Sequence, residues 1–330
     1  MSWRETTLGE ITDLKRGFDL PKSQRLQGDV PVYSSSGITG SNSTAAVEGP
    51  CVITGRYGTI GEVFFSGGPC WPLNTALYST EFNGNNPRFI YYLLQTIPWQ
   101  GYTTASAVPG VNRNHVNLCP VKIPDRATQD AIVEVLDSIV DKIALNNRLN
   151  DYLSQICDAE FTDFVSNQRD ASWHDGTLNE LVEIRYGKDH KKLAEGPYPV
   201  YGSGGFMRSV EKPLSSGESV LIPRKGSLNN VMYVDEKFWT VDTMFFTIPL
   251  KPGAAKYVYQ YTKRLDFGTM NSGSAVPSMT TKILNSLVIP IPSDSALVSF
   301  NKKLQPFFDL FGKNEEENRR LVSLRDILLP

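Results

Sequence analysis

The chain has 330 residues, 40% hydrophobic and 21% charged, with a net charge of −2, a length that suggests about two domains and a charge that by itself argues against nucleic-acid binding. No run of about 18 apolar residues predicts a membrane span, and residues 1–5 lack the apolar core of a signal peptide. Cys51, Cys70, Cys119 and Cys157 are far apart, with no C-x-x-C pair and no histidine at zinc spacing, so they are expected as structural thiols in a reducing cytosol, not as a disulfide framework or metal site.

Along the chain, the first 124 residues read as short strands and turns. Cys51-Val52-Ile53-Thr54 and Glu62-Val63-Phe64-Phe65 are strands between glycine-rich turns, residues 87–96 are a helix, and Val121-Lys122-Ile123-Pro124 closes the body as a strand. Beyond Pro124, Ile132, Leu136, Ile139, Ile143, Asn146, Leu149, Leu153 and Ile156 recur at steps of four and three. That is a coiled-coil-like stripe on a helix over about 128–165, roughly 57 Å long. A second body follows, with a helix over 254–264 and a closing strand at Val288-Ile289-Pro290-Ile291-Pro292. A second stripe then runs through Leu297, Phe300, Leu304, Phe307, Phe308, Phe311, Leu321, Leu324 and Leu328, with Pro306 and Gly312 expected to bend or break it. Each stripe either packs on its own body or pairs with the other. Its length against a body of about 120 residues favours pairing.

The two halves are copies. Shifted by 168 residues, positions 31–124 align with 199–292 without a gap and show 21 identities in 94 positions. They include Pro31-Val32-Tyr33 on Pro199-Val200-Tyr201, Arg56 and Gly58 on Arg224 and Gly226, Trp71 and Thr75 on Trp239 and Thr243, and Ser106-Ala107-Val108-Pro109 on Ser274-Ala275-Val276-Pro277. A shift of 170 superposes Trp3 on Trp173 and Gly17 on Gly187. The period is far too long for a solenoid, so each copy is a domain. The expected fold is α+β: two globular bodies, each followed by a long helix, the helices pairing as an antiparallel coiled coil about a pseudo-two-fold axis. Residues 125–170 hold four basic and ten acidic side chains, whereas both bodies are slightly basic. This permits nucleic-acid contact through the bodies without demanding it, and argues against such contact on the acidic first helix.

Catalytic signatures are missing. There is no Asn-Pro-Pro-aromatic or Asp-Pro-Pro-Tyr sequence, no phosphate loop, no Gly-x-Ser-x-Gly and no His-Glu-x-x-His. His115, His174 and His190 read as surface or turn residues. Gly55-Arg56-Tyr57-Gly58-Thr59-Ile60-Gly61 looks like a phosphate cradle, but a strand follows it where a nucleotide loop opens a helix. What the duplication kept is an arginine two residues before a glycine on a turn, suited to base edges or phosphate. The competing reading is an arginine that closes its own domain by a salt bridge.

Trp3-x-x-x-x-Leu8-Gly9-Glu10-Ile11, Tyr33-Ser34-Ser35-Ser36-Gly37-Ile38, Val52-Ile53-Thr54-Gly55-Arg56-Tyr57-Gly58, Ser106-Ala107-Val108-Pro109 and Ile123-Pro124 five residues before Gln129 occur in this order and mostly twice. In this the chain resembles the specificity subunit of Type I restriction–modification systems over essentially its full length. The resemblance implies target-recognition domains at 1–124 and 171–292, each reading half of a split double-stranded DNA site, and spacer helices at 125–170 and 293–330. It implies two modification (methyltransferase) subunits docked on the helices, restriction subunits outside them, a cytoplasmic location and no membrane. The chain itself would be non-catalytic and free of cofactor or metal, with S-adenosylmethionine in the modification subunit and ATP and magnesium in the restriction subunit. Family members usually run somewhat past the equivalent of Pro330, so the last turns of the second helix are expected to be lost.

On this reading the DNA-facing candidates are Tyr33, Ser35, Ser36, Arg56, Tyr57, Thr75 and Arg113 in the first copy. In the second they are Tyr201, Ser203, Arg224, Lys225, Asn229, Thr243 and Lys282. The docking candidates are Ile132, Leu136, Ile139, Ile143, Leu149, Leu153, Leu304, Phe307, Phe311, Leu321 and Leu324. Reading positions diverge between copies (Tyr57 against Lys225, Gly61 against Asn229, Arg113 against Thr281), which predicts two different half-sites. A fused methyltransferase lacks its motifs here. A decoy that binds methyltransferase without reading DNA is the remaining alternative.

Overall fold

The computed structural model describes residues 3–103, 110–270 and 278–330. The repeated Ser106–Pro109 and Ser274–Pro277 motifs lie outside the described residues. Two compact units form, residues 1–146 with 317–330, and residues 147–316.

The first unit opens with β1 (Arg4–Thr7), a single helical turn α1 (Leu8–Ile11), β2 (Lys15–Arg16), β3 (Val30–Ser34) and β4 (Gly37–Asn42). Next come β5 (Cys51–Gly55), β6 (Val63–Ser66), β7 (Trp71–Pro72) and β8 (Ala76–Ser79), then α2 (Pro87–Leu94), α3 (Arg113–Val116) and β9 (Pro120–Ile123). β1 pairs antiparallel with β9, Arg4 opposite Ile123, which ties the start of the body to its end. The other strands form a four-stranded sheet, β2-β8-β5-β6, and a three-stranded one, β4-β3-β7. β5 is buried at all five residues, as its unbroken apolar run requires of a strand with neighbours on both sides. α2 starts where Asn86 accepts from the Arg88 and Phe89 amides, with Pro87 in the first turn.

The second unit repeats this with β10 (His174–Thr177), β11 (Val182–Tyr186), β12 (Tyr198–Gly202), β13 (Gly205–Val210) and β14 (Ser215–Pro223). β15 (Met232–Thr240), β16 (Met244–Pro249), α5 (Ala254–Thr262), α6 (Thr281–Asn285) and β17 (Val288–Ile291) complete it. β10 pairs with β17 as β1 does with β9. Here the remaining strands form one six-stranded sheet, β11-β16-β14-β15-β12-β13. The difference is local. β15 runs unbroken past Asp235-Glu236-Lys237, whereas its counterpart is split into β6 and β7 by Gly67-Gly68-Pro69, where proline donates no ladder hydrogen bond. Gly17 and Gly187, matched in the sequence, stay glycine for a shared reason: a Cβ would fall 2.2 Å from the Leu73 carbonyl oxygen in one copy and 2.0 Å from that of Val241 in the other.

The long helices are α4 (Arg126–Asn167) and α7 (Asp294–Leu328). Helix α7 is continuous through Pro306, contrary to the expected break. Pro306 is exposed, and Leu304 and Phe308 on either side of it are buried in the core. In the first unit Lys142 Nζ lies 3.2 Å from Glu317, and the Asn146 amide donates to Asn318 at 2.9 Å. In the second unit Asn314 donates to Asn150 at 2.7 Å, Lys303 pairs with Glu160, and Phe164 stacks on Phe300 at 4.3 Å. In the second unit the α7 partners fall from 314 to 303 to 300 as the α4 residues rise from 150 to 160 to 164, so there the two helices run antiparallel, as the fold class expected. Packing on the bodies occurs as well: Val133 and Leu136 join the core of the first, and Leu297, Phe300 and Leu304 that of the second.

Each body is also fastened to the long helix that follows it by a cation, half-buried in the first unit and fully buried in the second. Arg88 on α2 pairs with Asp137 on α4 (Nε–Oδ1 3.1 Å), which also accepts from the Tyr92 hydroxyl at 2.5 Å. At the matching place in the second unit, the fully buried Lys256 reaches Gln305 at 2.9 Å and Asn301 at 3.0 Å on α7 and pairs with Glu218. Lys256 and Gln305 stand 168 residues after Arg88 and Asp137. The fastening was duplicated with its cation and its helix partner both exchanged.

Candidate nucleic-acid interface

The arginine turn is built identically in both copies. As the chain leaves β5, the Arg56 and Tyr57 amides both donate to the Thr75 carbonyl, at 2.9 and 3.1 Å, and Val111 donates to the Arg56 carbonyl at 2.9 Å. After β14, Arg224 and Lys225 donate to Thr243 at 2.8 and 3.3 Å, and Met279 donates to Arg224 at 3.0 Å. Tyr57 bridges to Gly110 and Lys225 to Ser278. Gly58 and Gly226 have φ of +79° and +85°, so their conservation between copies reflects left-handed backbone that L side chains seldom adopt. Ser35 and Ser203 overlie these glycines, the Ser203 hydroxyl 2.6 Å from where a Cβ would be.

The two arginines are half-buried at their bases and make no ion pair among the described residues, so the salt-bridge reading finds no partner for them there. Arg56 lies over the Tyr57 ring at 4.6 Å, and Arg224 over the Tyr186 ring at 5.4 Å. In the first unit Arg16, Arg56, Tyr57, Leu77, Gly110, Val111, Asn112 and Arg113 line an open cleft of about 420 Å³. Three arginines and, among the described residues, no carboxylate line it, so it attracts anions. Arg16 has Asp19 beside it, exposed, at 3.4 Å. In the second unit the corresponding surface is less concentrated in charge. Tyr186 stands in place of Arg16 and its hydroxyl lies 3.4 Å from Thr281, which replaces Arg113, while Lys225 and Lys282 are exposed nearby.

The remaining candidates divide by burial. Tyr33 is 7% exposed, packed with Cys51, Ile53, Cys70 and Tyr78, and the Tyr201 hydroxyl is held by Glu236 at 2.6 Å. Both are walls of the body. Thr75 and Thr243 act through their carbonyls, and the Thr75 hydroxyl is buried. Ser36 is exposed at the hairpin tip, and exposed Asn229 donates to Asp266 at 3.0 Å. Arg16 was missed by the sequence reading because the copies differ there. Its only signal was its place beside the repeated Gly17.

Among the docking candidates, Leu136, Ile139, Leu153 and Leu304 are buried within the units, where no partner reaches them. Ile132, Ile143, Phe307, Phe311 and Leu321 are half-buried, and Leu149 and Leu324 are exposed. Exposed Tyr152 and Ile156 share a helix face with Leu149.

Comparison with known proteins agrees with this architecture. Residues 1–155 and 171–322 each match the Type I restriction modification DNA specificity domain. The chain is 23% identical over 363 aligned positions to a Mycoplasma pneumoniae protein assigned as a type I specificity subunit, covering 99% of this chain and 95% of that one. A Mycoplasma genitalium protein with the same assignment is 25% identical over 266 positions, covering 71% of this chain and 67% of the other. The crystal structure of the M. genitalium Type I restriction–modification S subunit superposes with a TM-score of 0.66 at 17% identity, over 99% of this chain and 95% of that one.

Proposed function

The chain belongs to the Type I restriction–modification DNA specificity family, and we propose that it reads a bipartite, asymmetric double-stranded target, one half with each body. It is a specificity subunit, the non-catalytic member of its system. The observation that carries the bipartite reading is the duplicated arginine turn, the same backbone frame presented twice with different side chains around it. We assign the recognition domains to 1–124 and 171–292 and the spacer helices to 125–170 and 293–330. Arg56 and Arg224 position the backbone, since an arginine common to both copies cannot distinguish two half-sites. The residues that differ around them, Tyr57 and Arg113 against Lys225 and Thr281, read sequence.

Two modification subunits dock on the helices, and the exposed face of Leu149, Tyr152 and Ile156 supports that role better than the buried stripe does. Those subunits bring S-adenosylmethionine. Restriction subunits, with ATP and magnesium, join outside them in the cytoplasm. Partner basicity accounts for a reader with a net charge of −2.

Methylation profiling of the host with the gene present and deleted tests this. One split motif with unlike halves should vanish on deletion; a perfect palindrome, or no lost motif, overturns it. Four residues inserted in α4 should lengthen it by about 6 Å. At roughly 3.4 Å per base pair the gap should widen by one or two base pairs. A changed half-site with an unchanged gap rules out the helices as the ruler.

A further inference from the structure

In both bodies one hairpin touches the arginine turn. β3 and β4 pair antiparallel with Tyr33 opposite Ile38 and Ser34 opposite Gly37; β12 and β13 do the same with Tyr201 opposite Phe206 and Gly202 opposite Gly205. Gly37 and Gly205 turn the chain with φ of +94° and +109°. Ser35 or Ser203 packs against the glycine of the arginine turn, and Asn230 donates to the Ser203 carbonyl at 2.8 Å. Just past each tip stands a large apolar side chain in water: Ile38 is 64% exposed and Phe206 56%.

Single exposed hydrophobics are ordinary on a protein surface. Most of those on the two bodies are unmatched by an exposed apolar residue in the other copy: Leu118 faces Ser286, Met207 faces Thr39, and Leu250 faces buried Phe82. Among the described residues of the bodies, Ile38 and Phe206 are the one aligned position where a large hydrophobic is exposed in both. Neither joins a core cluster, although the Phe206 ring stands edge-on to Tyr201 at 6.5 Å. Folding therefore gains little from them, yet both copies hold an apolar group on a two-stranded ribbon beside a cationic turn.

A two-stranded ribbon fits the major groove, and the apolar feature of that groove is the thymine 5-methyl group. We infer that Ile38 and Phe206 are the apolar reading positions of the two bodies, each packing on a thymine methyl in its own half-site while the arginine turn holds the backbone alongside. This rests on the DNA-reading function proposed above. It adds that each half-site contains a thymine read by its methyl, and that the two copies differ there in shape, branched aliphatic against aromatic.

The test uses the chain assembled with its modification subunit and a duplex of about 40 base pairs carrying the motif lost on gene deletion. Each thymine of the motif is replaced in turn by deoxyuridine, which removes only the methyl. The wild-type complex should show one sensitive thymine per half-site, with binding weakened about fourfold, the worth of one buried methyl. Ile38→Ala should abolish that sensitivity in one half-site and Phe206→Ala in the other, each without change in melting temperature because both side chains are exposed. If no thymine is sensitive, or if both variants keep the wild-type deoxyuridine profile, the assignment is wrong while the DNA-reading function stands. If the wild-type complex binds the motif no better than a scrambled duplex, that function falls and this assignment with it.

Discussion

Asn146 and Asn318 meet across α4 and α7 in the first unit, and the same contact is made in the second unit by Asn314 and Asn150. The copies are exact in register, since 314 and 318 stand 168 residues after 146 and 150. Donor and acceptor also keep their roles: Asn146 and its counterpart Asn314 give the amide, and Asn318 and its counterpart Asn150 accept it. Asn146 and Asn314 are buried. A buried polar residue in a helical seam characteristically fixes register at some cost in stability. The Asn146 amide also reaches Glu317 at 2.8 Å. Asn146→Ala should therefore lower unfolding free energy by about 1–3 kcal/mol and speed hydrogen exchange along residues 317–328. Chemical denaturation with exchange readout checks both. An unchanged midpoint would show that the seam does not depend on this amide.

The cation fastenings should differ in strength. Lys256 is fully buried, so Lys256→Ala takes the ammonium from Glu218, Asn301 and Gln305 at once, leaving Glu218 to the Tyr233 hydroxyl, and should cost about 3–5 kcal/mol. Arg88 and Asp137 keep 29% and 31% of their side-chain surface in water, so Arg88→Ala should cost distinctly less. Lys256→Met combined with Glu218→Gln should recover part of the loss, because no charge is then left without its partner. Denaturation of Lys256→Met, Glu218→Gln and the double variant decides it. An additive double variant would mean that the pair is not coupled.

Acid should loosen the helix pair in the first unit. The Asn146 amide, followed by the Lys142 ammonium, holds the Glu317 carboxyl below its ordinary value of 4.5. A depressed carboxylate stabilises the fold above its unfolded value, and that contribution is lost as pH falls through the lower folded value. Protection along 317–328, taken relative to the intrinsic exchange rate at each pH because amide exchange itself slows in acid, should stay high near neutrality and drop as pH falls below about 4.5 toward the folded value. Glu317→Gln should flatten this dependence. The same acid response in the variant would assign it to other carboxylates.

How much of this was legible follows from which signals are local. The strand at β5 and the helices α2, α4, α5 and α7 were readable because burial stamps its period directly on sequence. The duplicated Arg56 and Arg224 turn was readable because its backbone demands glycine at positive φ. Arg16 and the Lys256 cluster were not, since their partners, Arg113 and Gln305 among them, come from distant segments and their types changed between copies. The stripe misled in one respect. Apolar periodicity marks what a helix buries, and Leu136 and Leu153 are buried inside the units, so the face open to a partner had to be found from exposure. Pro306 looked like a break because local propensity cannot weigh Leu304 and Phe308, which hold the helix on either side of it.

Arg56 and Arg224 should matter for DNA binding and not for folding. Their frames are held by main-chain hydrogen bonds to Thr75 and Thr243, so truncating the side chain leaves the turn intact. No ion pair to either is present among the described residues, and removing the guanidinium therefore strands no carboxylate there. Arg56→Ala and Arg224→Ala should melt within about 1 °C of wild type, since surface changes of this kind stay within about 0.5 kcal/mol. In the assembled complex each should weaken binding evenly across sequences and lower the salt slope by about one, the mark of a lost phosphate contact. A base contact would instead relax one half-site, at about 1–3 kcal/mol. Thermal melts paired with gel shifts over a salt series separate these. A variant that melts normally, binds its target with wild-type affinity and keeps the salt slope would remove that arginine from the interface.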